Sequence, residues 1–175
     1  MRKVAKLLAY FIVMAALLIF FMPKVNLYYA LERLMKERNI YISDEQVYDQ
    51  GFSLELEKSN VLFDKLSLAE IDTIKLSPWL FYNALSLDNI HVNEGFEDFL
   101  PQKISRVSIE HFIYNPTHIS LRGDSEDSFF YGDVDLIERV ITIHLRLGDK
   151  SEKKYRLVLQ KLIKEEGGYL YEYKF

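Results

Sequence analysis

The sequence contains no cysteine. That excludes disulfides, thiolate metal sites and a cysteine nucleophile. It leaves the redox compartment open, since a cysteine-free chain suits either. Glycine is sparse, with 7 residues, and proline sparser, with 4. No glycine-rich phosphate loop, nucleophile elbow or HExxH helix is present. An excess of positive charge is missing too: 22 Lys and Arg face 26 Asp and Glu, for a net charge of -4. A nucleic-acid footprint is therefore not expected. Nor is the chain polar enough for disorder, because 49% of it is hydrophobic. Its 175 residues suit one domain with an appendage. The expected role is non-catalytic, with no cofactor and no metal.

What is present is unevenly spread. Residues 1–22 carry only three charges, Arg2, Lys3 and Lys6, and Leu7 to Met22 carries none. With Val4 and Ala5 included and Lys6 snorkelling, the run approaches the ~20 residues of a spanning helix. Leu7, Phe11, Leu18 and Phe21 are representative anchor residues. The competing reading is a cleaved leader. The run is long for such an apolar region, and Phe20-Phe21-Met22-Pro23-Lys24 offers no small-x-small site. A retained anchor is expected, with residues 1–25 as cytoplasmic N-terminus and transmembrane segment. The basic residues before the span place the N-terminus in the cytoplasm. The rest then faces outward, into the periplasm of a two-membrane bacterium. Residues 23–175 have a charge of 19 minus 26, or -7, so this body should stand off an anionic bilayer.

Residues 26–50 read as a juxtamembrane helical segment. Asn26 is placed to cap a helix from Leu27 to Arg38, with Leu27, Leu31, Leu34 and Met35 on one face. Ser43-Asp44-Glu45-Gln46 has capping-box form and suggests a further helical turn. Residues 51–175 then read as a β-rich periplasmic domain. Phe52, Leu54 and Leu56 alternate with polar residues; Ile71, Ile74 and Leu76 do so less regularly. Alternation returns at Leu85, Leu87, Ile90 and Val92, and strands are expected in 104–114, 118–122, 129–136, 140–147 and 169–175. That makes eight or nine short strands. Ser77-Pro78 predicts a short helix through Asn83. Ser151–Glu166 predicts another in its later part, with Tyr155, Val158, Leu159, Leu162 and Ile163 on one face and Gly167-Gly168 as its stop; a strand over Tyr155–Leu159 is the alternative. The fold class is mainly β with short helices: an antiparallel curved sheet or half-open sandwich behind one N-terminal transmembrane helix.

The region from Leu27 to Val92 contains Phe52-Ser53-Leu54-Glu55-Leu56, Ile74-Lys75-Leu76-Ser77-Pro78-Trp79-Leu80 and Leu85-Ser86-Leu87-Asp88-Asn89-Ile90-His91-Val92. These phrases resemble the bitopic inner-membrane proteins related to type II secretion system protein N and, more distantly, AsmA-like proteins. The resemblance covers about 70 residues and carries over no catalytic residue. It implies a secretion-apparatus or envelope-lipid role. The chain is shorter than such proteins and lacks their repeated β modules.

Four other features bear on chemistry. His91, His111, His118 and His144 are scattered over separate strands, without metal-ligand spacing. Asp124, Glu126, Asp127, Asp133 and Asp135 form an acidic stretch that reads as a solvated turn and strand face. Arg122-Gly123-Asp124 reads as a turn with glycine at positive φ rather than an adhesion tripeptide. Trp79-Leu80-Phe81-Tyr82 reads as a helical lid over the β-core, or as a surface that docks a membrane or partner.

Tyr169, Tyr171, Tyr173 and Phe175 alternate to the last residue. They suit a soluble edge strand open to a partner, and Trp79, Phe81, Tyr169, Tyr171 and Tyr173 are the candidate partner or lipid contacts. A small outer-membrane barrel with a cleaved leader is the rival, although its strands would fall short of the ~9–11 residues needed to span. The leading expectation is thus a membrane-anchored envelope component that assembles with another envelope protein. A lipid-binding module with an apolar groove is the alternative.

Overall fold

A computed structural model describes residues 2–96 and 98–175. Helix α1, Arg2–Phe20, is the apolar run. It is long and apolar enough to cross a membrane, and almost none of it is buried against the rest of the chain. At ~1.5 Å per residue it is about 28 Å long, close to a ~30 Å hydrocarbon core.

After Pro23, helix α2 runs from Lys24 to Lys36. It begins earlier than expected: Asn26 lies inside it, and no side chain caps it. Proline supplies the break, and the helix restarts directly beyond it. The helical turn expected at Ser43–Gln46 is absent. Strand β1, Ile40–Ser43, and strand β2, Gln46–Asp49, flank a tight turn with Asp44 at φ 65. Asp tolerates that conformation, and its carboxylate accepts a hydrogen bond from Ser43.

The other strands are β3 (Leu54–Phe63), β4 (Leu66–Pro78), β5 (Tyr82–Val92), β6 (Lys103–Phe112), β7 (His118–Ser125), β8 (Ser128–Asp135) and β9 (Val140–Leu147). Helices α3 (Asp149–Lys154) and α4 (Arg156–Leu159) precede β10 (Ile163–Glu165) and β11 (Gly168–Lys174). All eleven strands join one antiparallel sheet in the order β1-β3-β4-β5-β6-β7-β8-β9-β11-β10, with β2 beside β1 against β3. It is a single sheet rather than a sandwich. Its two ends are not paired with each other among the described residues, so it is not a closed barrel. Strands β3 to β5 have 10 to 13 residues, longer than expected.

Both helices expected inside the β-region are corrected. Ser77-Pro78 starts no helix. Pro78 is the last residue of β4, and Trp79–Phe81 is the hairpin turn to β5, closed by Trp79 N–H to the Tyr82 carbonyl. In Ser151–Glu166 helix forms at the start, as α3 and α4, and not in the later part, where Ile163–Glu165 pairs with β11. The alternative strand over Tyr155–Leu159 does not form either. Gly167, at φ 91, makes the turn between those strands and does not end a helix.

Paired residues share a sheet face. Leu56, Ile74, Leu87 and Val107 lie in one row on the apolar face, and Leu54, Leu76, Leu85, Ile109 and Leu121 in another. The period-2 pattern breaks at the same place in four neighbouring strands. Inward positions step by three from Leu56 to Ser59, Ile71 to Ile74, Leu87 to Ile90, and Ile104 to Val107. Lys58 and Asn89 adopt positive φ there, and the β6 register shifts. Bulges bend the strands that carry them. This line of four accounts for the irregular alternation around Ile71 and Ile74.

The buried core is small and off-centre. Tyr28 of α2 covers Leu54, Leu56, Ile71, Ile74 and Ile90 at the β3–β5 end. Tyr155, between α3 and α4, and Leu159 of α4 cover the far side.

Candidate functional site

Between these two helical covers the apolar face is only half buried. A groove of about 540 Å³ runs there between α2 and the sheet. One wall is Leu27 and Leu31 of α2; the floor includes Leu85, Ile109 and Ile119. The walls are almost wholly apolar, with Ser77, Asn83 and His111 at one end. The expected apolar face of α2 is therefore not the face it packs on the core. Tyr28 and Lys24 are buried, while Leu27, Leu31 and Leu34 stay exposed. A smaller apolar cavity of about 140 Å³ lies under α4, walled by Phe130, Leu145 and Tyr155.

Two polar side chains of α2 fix its position. Lys24 is only 2% exposed. Its ammonium donates to the carbonyls of Phe20 and Met22, each at 3.2 Å, and lies 3.5 Å from the Asp49 carboxylate. A cation here opposes the C-terminal dipole of α1 and supplies a donor to the Phe20 carbonyl at its end. The Tyr28 phenol donates to Glu45 at 2.8 Å. Burial and that carboxylate push its pKa well above the ordinary tyrosine value.

The expected anchor residues Leu7, Phe11 and Leu18 lie exposed along α1, and Phe21 follows it, also exposed. Trp79 is not a lid over the core. It stacks on Phe52 at 5.7 Å, and Phe52 packs edge-on against Phe20 of α1 at 5.5 Å. Gly51 is needed at this joint. Its φ is 77, and a Cβ there would meet the Phe20 ring. Phe81 projects from the same turn and is 61% exposed.

Tyr169, Tyr171 and Tyr173 pair with Leu145, Ile143 and Ile141 and so extend the apolar face to the last full strand. Tyr169 donates to Glu152, and Tyr171 stacks on Tyr173. On the outer side β10 covers only Gly168–Leu170. From Tyr171 to Lys174 the outer edge of β11 carries no strand among the described residues. The edge expected over Tyr169–Phe175 is thus half occupied.

The opposite face is polar. His118 on β7 lies 2.6 Å from Asp133 and 3.6 Å from Asp135, both on β8. A hydrogen bond to Asp133 raises the His118 pKa, while backbone N–H groups of Glu138 and Ile137 lower that of Asp135. Sequence spacing missed this trio, because β7 and β8 meet only through pairing: His118 faces Asp135 across the ladder. Among the described residues no group of three or more metal-ligating side chains converges. Arg122-Gly123-Asp124 lies within β7, not in a turn, and Gly123 has no positive φ. Gly123 is there because Phe130 lies over it, in the space a Cβ would need.

No protein family, curated protein or solved structure matches the chain.

Proposed function

We propose that this protein is a membrane-anchored lipid-binding module. In this reading α1 spans the cytoplasmic membrane, and the sheet lies on the periplasmic side. Arg2, Lys3 and Lys6 keep the N-terminus in the cytoplasm. The groove between α2 and the sheet holds an acyl chain. One observation carries the reading: an exposed leucine face of α2 stands opposite an uncovered apolar sheet face, with about 540 Å³ between them. That volume lies within the ~300–1,000 Å³ typical of ligand pockets.

The energetics favour a bilayer lipid. Each CH₂ moved from water into the groove gains about 0.8 kcal/mol. Moved from the bilayer it gains almost nothing, so exchange with an adjacent leaflet is nearly balanced. Lys24, directly after the first helix, is one of the residues that line the groove. The test is native mass spectrometry of the full chain, extracted in mild detergent. One bound lipid is expected, and Leu31→Trp, which fills the groove, removes it. Leu34→Trp, off the groove, retains it. Loss in neither variant, or no lipid at all, contradicts the reading.

A second reading rests on the unpaired edge at Tyr171–Lys174. An extended segment of another envelope protein, a secretion component included, adds there as a further strand. A photocrosslinker at Glu172 should then capture one discrete protein in intact cells. Filling the groove should not change that capture.

A further inference from the structure

We propose that three hairpin turns at the α1 end of the sheet form a second membrane contact, seated in the headgroup layer of the leaflet where α1 emerges. The inference rests on the reading of α1 as a membrane span and extends it. It gives the sheet a fixed posture: upright on the bilayer, with the groove mouth against the lipids.

In a meander, alternate turns fall at the same end. The turns at 79–81, 113–117 and 136–139 share the end where α1 joins the body. They are tied into a row. The Ile113 N–H donates to the Phe81 carbonyl at 3.1 Å, and the Leu136 N–H to the Thr117 carbonyl at 2.8 Å. Each presents large apolar side chains to the outside. Phe81 is 61% exposed, Tyr114 78% and Ile137 74%. The row continues the surface of α1, because Trp79 connects to Phe20 through Phe52 and Leu80 lines one apolar recess with Leu17 and Leu18. Trp and Tyr beside aliphatic residues form the composition that settles at the bilayer interface.

Charge points the same way. The turns at 79–81 and 113–117 hold no ionisable acid or base, and the third has only Glu138 and Arg139. At the opposite end the turns carry Asp64 and Lys65, Glu126 and Asp127, and the charged helix α3. The two ends are about 35 Å apart, from 11 residues of β5 at ~3.3 Å each. The body's charge of -7 does not prevent contact at the two turns nearest α1, which carry no charged side chain; in the third, Asp135 is held by the Ile137 and Glu138 N–H groups.

Trp79 is the only tryptophan, so a fluorescent probe can be moved along the sheet. Two variants serve: Trp79→Phe with Ile137→Trp, in the turn of the row farthest from α1, and Trp79→Phe with Phe99→Trp, at the opposite end. Both sites are exposed, so folding is not threatened. The full chain is placed in phosphatidylcholine vesicles, with and without lipids brominated near the headgroup. The Ile137→Trp probe should lose about half its emission to bromine, as an interfacial indole does, and the Phe99→Trp probe should lose none. Unchanged emission from Ile137→Trp while the protein floats with vesicles through alkaline carbonate overturns the second contact and leaves the anchor standing. Failure to float overturns the span, and the contact with it. Equal quenching of both probes also overturns the proposal, since the sheet would then lie flat.

Discussion

At the residue scale, two side chains on opposite faces make sharp demands. The Ser59 hydroxyl is fully buried on β3 and has no hydrogen-bond partner. A buried orphan hydroxyl costs roughly 1–3 kcal/mol. Ser59→Ala should therefore raise stability by roughly 1 kcal/mol, visible as a higher melting temperature. His118 carries the other demand. Its pKa is raised above the ordinary value near 6.5 by the Asp133 hydrogen bond. The raised value means that the pair stabilises the fold fully below the unfolded-state pKa. That contribution fades as pH rises through the folded-state pKa. In an NMR titration the His118 midpoint should lie above the ordinary histidine value, and Asp133→Asn should bring it down. An unchanged midpoint would mean the pair does not form in solution.

At the element scale, the joint between α1 and α2 depends on Lys24. Lys24→Met leaves the Phe20 carbonyl without its side-chain donor and Asp49 without its cation, while Met22 keeps the Lys24 backbone N–H; a loss of roughly 1–3 kcal/mol is expected by thermal melting in detergent. Lys24→Arg should recover part of it. The elements also show what was legible in the sequence. The apolar helix, the alternating strands and the aromatic last strand could be read directly, because a face that repeats every two residues has one explanation. The two missing helices could not. Ser77-Pro78 has the local chemistry of a helix start, but Trp79 to Tyr82 closes a hairpin whose strands pair from Ala69 to Pro78 and from Asn83 to Val92. Ile163 to Glu165 continues an apparent helical face yet pairs with β11. In both places long-range ladder bonds outweighed local propensity. The Ser43–Gln46 turn failed for the same reason, since Ile42 and Val47 were already committed to opposite halves of β3.

At the scale of the whole molecule, one sheet faces two environments. Its polar face carries the His118 trio and the Arg106–Asp88 pair. Its apolar face is covered at both ends by helices and open between them. Alternation indicated that such a face exists. It could not show that α2 covers the face with Tyr28 and turns its leucines toward the gap, because helical periodicity marks Leu27, Leu31 and Leu34 as the packing side. The candidate contacts were legible in type rather than in place: Trp79 and Phe81 sit on a turn beside α1, and the three tyrosines lie on the open face. The central claim is that this gap holds an acyl chain. It is tested most directly by photocrosslinking the full chain in vesicles that contain a phospholipid with a diazirine at mid-chain, then mapping adducts by mass spectrometry. Adducts on Leu27, Leu31, Leu85 and Ile109, beyond those along α1, are predicted. Adducts confined to α1 would contradict the account.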